Sequence, residues 1–187
     1  MATFFLSVTF SLGSQTLLGF LTLGPALILL LVIVFIGIIF DIIGVAITAA
    51  REEPFHAMAT DRVPGAQQAI RLIKQADKVA SFALDIVGDV AGTLSGAIAA
   101  AIVVRISVLT PSLSETLLST VVVALIASLM VTGKAVGKGF ALSQGTKIIA
   151  WTGKLLYYWE KMTGIVLFAN AGDKKRRKRS GQGKRSD

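Results

Sequence analysis

The chain of 187 residues has no cysteine, one histidine and four prolines, and only 16% of it is charged. Without cysteine there is no disulfide framework, no thiolate metal site and no cysteine nucleophile. The one histidine, His56, lies four residues from Glu52 with Pro54 between them, a poor basis for a metal site. A solvated helix start accounts for Glu52 and Glu53 equally well. No nucleophile-and-base set, phosphate-binding glycine loop or zinc spacing is present, so an enzyme is not expected. Charge is also scarce and segregated: soluble domains carry about 25% charged residues, whereas Met1 to Phe40 carries none.

What is abundant is apolar. Hydrophobic residues make up 53% of the chain and its mean hydropathy is +0.72, the composition of a membrane protein. Three runs meet the need for about 20 apolar residues per span. The first lies in Leu17–Ala50, interrupted only by Asp41. As straight helix that run measures about 51 Å, beyond the hydrocarbon core, so Gly24-Pro25 is expected to break it and Pro25 to open the spanning helix. The second covers about 82–104. The third, about 117–133, is shorter, with Lys134 and Lys138 placed to snorkel at its end. The amino-terminal segment lacks a positive charge and its apolar run exceeds a signal peptide's h-region, so a cleaved signal is not expected. Residues 1–16 read as a short uncharged arm.

Basic residues set the orientation. The segment 51–78 holds Arg51, Arg62, Arg71, Lys74 and Lys78, whereas 105–115 holds only Arg105, and the chain from Lys134 onward has a large excess of basic residues. The expected arrangement is a multi-pass protein of the cell membrane, amino terminus outside and carboxyl terminus cytoplasmic. Val63, Ala66, Ala69, Ile70, Ile73 and Ala76 recur at helical spacing, which predicts an amphipathic cytoplasmic helix feeding span two. Lys147, Lys154 and Lys161 recur every seven residues among Trp151, Tyr157, Tyr158 and Trp159, which predicts an interfacial helix over about 140–168; a fourth, imperfect span is the alternative. The expected fold is an all-α membrane protein with three transmembrane helices plus amphipathic cytoplasmic and interfacial helices, in one domain over 17–170. Residues 171–187 form a basic tail that cannot bury anything and is expected to be disordered. Its Lys174, Lys175, Arg176, Arg177, Lys178 and Arg179 suit an anionic lipid surface, and with no aromatic platform beside them nucleic acid is not an expected partner.

The chemistry centres on Asp85 and Asp89, four apart in the second run and so on one face of a helix. A charge inside a span costs about 2.5–3.5 kcal/mol on insertion scales, and something in the fold must offset it. Two candidates are open. One is a hard cation such as magnesium, which needs few carboxylates and keeps several waters; Asp41, Asp85 and Asp89 would hold it, with Thr48, Thr93 and Ser95 as neutral oxygens. The other is a set of interhelical ion pairs to Lys134 and Lys138, also four apart. Gly88, Gly92 and Gly96 repeat every four residues and offer a small-residue face for helix packing.

At these residues the chain resembles the membrane domain of the cyclin-M/CorC family of magnesium transporters. The matching stretch runs from Pro64-Gly65-Ala66-Gln67-Gln68-Ala69-Ile70-Arg71-Leu72-Ile73 through Ala76-Asp77-Lys78-Val79-Ala80-Ser81 to Ile86-Val87-Gly88-Asp89, with a second at Gly133-Lys134-Ala135-Val136-Gly137-Lys138. Three departures stand out: Val45-Ala46-Ile47 replaces a Ser-Glu-Thr-like element, Asp89 replaces an asparagine, and Lys134 replaces an acid. The family's regulatory domains do not appear in this sequence. The resemblance implies three spans, a cytoplasmic belt helix and a homodimer with cation sites between helices. Two functions follow as expectations: a divalent-cation transporter using intramembrane aspartates, or a non-transporting membrane scaffold or accessory subunit with Asp–Lys pairs and a cytoplasmic protein partner.

Overall fold

The computed structural model describes residues 22–110 and 114–164, together with residues 4, 5, 8, 9, 12 and 13. The expected basic tail and most of the amino-terminal arm lie outside the described residues. Among those described, every regular element is helical. The order is α1 (Leu23–Ala49), α2 (Glu53–Thr60), α3 (Ala66–Lys74), α4 (Ala76–Ser81), a π-helical segment (Phe82–Val87), α5 (Gly88–Leu109) and α6 (Glu115–Thr163). Three helical stretches are long and apolar enough to cross a membrane: Leu23–Ala49, Ala76–Leu109 and Glu115–Thr163.

Local chemistry explains most of the boundaries. Pro25 falls in the first turn of α1, where its missing N–H has no partner to lose. The helix expected from the spacing of Val63 to Ala76 is present as α3 and α4, with α2 a separate helix before it. Arg62 and Gly65 both have positive φ (56° and 91°) in the turn before α3, and Gln75 interrupts the run before α4 with φ −119°. From Ala76 the chain then runs without a stop into the second span, as the apolar spacing predicts. The third helix does not end near Gly133. It runs on to a kink at Gln144 (φ −119°, ψ 20°), beyond which a second helical piece, inside the segment expected at about 140–168, continues to Thr163. Its end is marked by Gly164 in the left-handed region (φ 69°), whose N–H donates to the Glu160 carbonyl at 2.9 Å, a common helix termination.

The chain forms two compact units. The first comprises residues 1–45 and 80–143. Its buried centre is Ala26, Leu30 and Val34 of α1, at four-residue intervals on one helix face, against Ile98 and Ile102 of α5; Ile126 and Met130 of α6 pack on the side. Lipid is as apolar as leucine, so helices in a bilayer associate by close packing rather than by hydrophobic burial. The contacts fit that rule. A methyl on Gly37 would lie 2.8 Å from the Ala91 methyl, and one on Gly137 would lie 2.6 Å from Ile42. The outward faces are correspondingly apolar: Leu31, Phe35 and Ile39 of α1 and Leu117, Val121, Leu125 and Leu129 of α6 are exposed. A continuous apolar exterior of this kind is a liability in water and the norm in hydrocarbon.

The second unit comprises residues 46–79 and 144–187. Phe55 of α2, Ala69 and Leu72 of α3 and Ile149 of α6 are among its buried apolar residues, each at most 1% exposed. Helix α3 meets α6 at a glycine crossing. A methyl on Gly153 would come within 3.0 Å of the Ala69 nitrogen and closer still to the Gly65 carbonyl. Glu160 of α6 then receives two side chains from α3, Gln68 at 2.9 Å and Arg71 at 3.3 Å.

Candidate functional site

In the first unit the second span does not begin as an α-helix. From Phe82 to Val87 it is π-helical, so that the Gly88 N–H donates to the carbonyl of Ala83, five residues back. Such wide turns are rare and concentrate at functional positions. Gly88 ends the turn, and the space its missing side chain leaves is filled by charge. A methyl group there would lie 3.5 Å from Lys134 Nζ and 3.7 Å from both Asp41 Oδ1 and the Ala83 carbonyl oxygen.

Asp41 comes from α1 and Lys134 from α6, and they form an ion pair of 3.1 Å. Their side chains are 17% and 32% exposed, so most of each is enclosed by the three helices. The packing around them explains the register. Ile38 and Ile42 of α1 press on Gly133 and Gly137 of α6, which brings the residue beside each glycine to the same edge. The pair is neutral as a unit, and breaking it would strand a charge where water is scarce.

The other sequence candidates are distributed differently. Asp85 lies within the π-helical segment and Asp89 in the first turn of α5; both are exposed. Among the described residues neither makes an ion pair, and neither does Lys138. Lys134 therefore pairs as expected of a basic residue there, but with Asp41 rather than with the second span. Thr93 donates its hydroxyl to the Asp89 carbonyl at 2.9 Å, and the fully buried Ser95 donates to the Ala91 carbonyl at 2.7 Å. Both hydroxyls are thus turned back onto their own helix. Thr48 is exposed. Of the three glycines, Gly88 underlies the ion pair, Gly92 faces Met130 at 3.8 Å, and Gly96 is open. Among the described residues no group of three or more His, Cys, Asp or Glu side chains is placed to hold a metal ion.

Electrostatics decides what the Asp41 pocket can accept. Two unit charges about 4 Å apart at an effective dielectric constant of about 20 interact by about 4 kcal/mol. A divalent cation beside the Lys134 ammonium would meet about twice that repulsion, comparable with what Asp41 returns. The ammonium already occupies the position of best attraction.

One pairing and one residue are not visible in the sequence. Asp41 and Lys134 were each noticed, but pairing between α1 and α6 depends on helix rotation, which no spacing within one helix reveals. Glu160 was missed altogether, although it is the one acid between Lys134 and Thr163; that isolation was the available signal. Compared with models of protein families, with characterised proteins and with solved structures, the chain matches none.

Proposed function

We propose that the protein is an integral membrane scaffold or accessory subunit, three times spanning, in which a tethered lysine ammonium takes the place of a bound cation. The supporting observation is the 3.1 Å contact of Lys134 with Asp41 over Gly88. The Asp41 carboxylate is the one acid at this point, and the covalently attached ammonium of Lys134 neutralises it. This is the arrangement expected if a membrane domain resembling the cyclin-M/CorC type keeps the helical frame and gives up the ion. The basic residues in 51–78 and beyond Lys134 favour a cytoplasmic side for those segments, and that reading leaves them to offer a surface to a protein partner.

A second reading, divalent-cation transport, draws on Asp85 and Asp89, which carry negative charge on the second span without an ion-pair partner among the described residues. Thermal unfolding of the purified protein in detergent separates the two. On the scaffold reading magnesium, manganese and calcium leave the wild-type melting temperature unchanged, while Lys134→Ala melts lower and is restored by divalent cation that now reaches Asp41. Stabilisation of wild type by any of these ions, lost in Asp89→Asn, would establish the transport reading instead.

A further inference from the structure

In the second unit, α2 and the turn that follows it form a groove with α6. One part, of about 270 Å³, is walled by Phe55, Met58, Val63, Ala66 and Trp151, with Lys154 at its edge. The adjoining part, of about 250 Å³, shares Val63 and Pro64 and is lined on its other side by Arg62, Gln67 and Tyr157. The first is apolar with a cation at the rim; the second is polar with a cation in the wall. Lys154 Nζ sits 5.7 Å from the centre of the Trp151 ring, a cation–π arrangement that holds the ammonium at the edge of the apolar part.

The helix face that borders the groove continues the same chemistry. Lys147, Trp151, Lys154, Tyr158 and Lys161 follow one another at spacings of four and three and are all exposed, so cations and aromatic rings alternate along one stripe. Trp151 is 73% and Leu155 74% exposed, an unfavourable state for a surface facing water and a favourable one at a headgroup layer. The one nearby carboxylate on α6, Glu160, is engaged by Gln68 and Arg71. The α6 edge of the groove, with Lys147, Lys154 and Lys161, is thus positive, while Asp61 beside Arg62 offsets part of that charge in the turn after α2.

We infer that this groove binds an anionic phospholipid, with an acyl segment along Phe55, Val63 and Trp151 and the phosphate held by Lys154 and Arg62. Charge complementarity selects the headgroup and the apolar wall selects a lipid over a free anion. Such a site ties the α2–α3 segment to the inner leaflet through one ordered molecule rather than through diffuse attraction alone.

The chain has two tryptophans, Trp151 and Trp159, so Trp159→Phe leaves Trp151 as the sole reporter in the groove. The full-length protein in nanodiscs of plain phosphatidylcholine would be titrated with brominated phosphatidylglycerol or brominated phosphatidylcholine, whose bromines quench an indole on contact. Quenching should reach half its maximum at a lower mole fraction of the glycerol lipid, and Lys154→Gln should raise that fraction about fivefold while leaving the choline lipid's curve in place. Lys154 and Trp159 are exposed, and unchanged circular dichroism would confirm intact helices. Equal quenching by both lipids, or no effect of Lys154→Gln, would overturn the assignment. Displacement of the glycerol lipid by inorganic phosphate would also overturn it, because the site would then be one for anions alone. Absence of quenching by either lipid would mean that protein, a second copy or another chain, covers the groove, and the inference would fall.

Discussion

The guanidinium of Arg71 and the carboxylate of Glu160 meet at 3.3 Å across 89 positions of sequence, with only 15% and 13% of their side chains exposed. Gln68 donates to the other oxygen of the same carboxylate at 2.9 Å. One acid on α6 therefore fastens two successive turns of α3. Glu160→Ala leaves a guanidinium and an amide enclosed without their acceptor, a loss of about 3 kcal/mol. Glu160→Gln retains an acceptor and should lose roughly half as much. Amide hydrogen exchange across Ala66–Lys74 in detergent would show the difference as faster exchange in the alanine variant, and equal protection in both would contradict the fastening role.

The glycine crossing of α3 and α6 yields a matched pair of substitutions. A methyl on Gly153 collides with backbone atoms of Gly65 and Ala69, which have no side-chain freedom to move away. Gly153→Ala should destabilise by about 1–3 kcal/mol, the usual range for overpacking. Gly139 lies in the same helix with nothing within 4 Å of its added methyl. There Gly139→Ala should stabilise by about 0.5–1 kcal/mol through helix propensity. Opposite signs in thermal unfolding are the expected result.

The Asp41–Lys134 pair predicts a rescue. Asp41→Asn or Lys134→Ala alone strands one charge among the helices and should lower stability by about 3 kcal/mol, the low end for enclosed pairs because Lys134 is a third exposed. The exchange Asp41→Lys with Lys134→Asp recreates attraction and should recover more than half of the loss. A double-mutant cycle measured by detergent-resistant folding reports the coupling directly. Additive losses would show that the two side chains act independently.

Ser95 tests the role of hydroxyls on the second span. Its Oγ already serves the Ala91 carbonyl of its own helix, a local bond of little net value. Ser95→Ala should therefore stay within about 0.5 kcal/mol of wild type. A large loss would point to a ligand or partner that uses this oxygen.

How much of this was visible in the residues alone depends on the range of the interaction. The uninterrupted runs behind α1 and α5 and the place of Pro25 in the first turn follow from neighbours in sequence, and they were legible. That the helix behind the third run passes Gly133 before it kinks at Gln144 was not. Gly133 and Gly137 look like helix breakers on propensity, yet they are the residues that let α6 approach Ile38 and Ile42, and packing outweighs propensity there. The π-helical turn left no sequence mark either. The site was half legible. Asp41 and Lys134 are conspicuous as charges in apolar surroundings, but sequence spacing suggested Asp85 and Asp89 as partners, because it resolves faces within a helix and not rotations between helices.

The Asp41–Lys134 contact also imposes an order on biogenesis. About ninety residues separate the two, so at ordinary translation speeds Lys134 is made about 5–20 s after Asp41. For those seconds the nascent first segment carries a carboxylate whose counter-charge has yet to leave the ribosome. A chain halted before Lys134 would keep that carboxylate without its partner, and the contact can form only once both helices have been made.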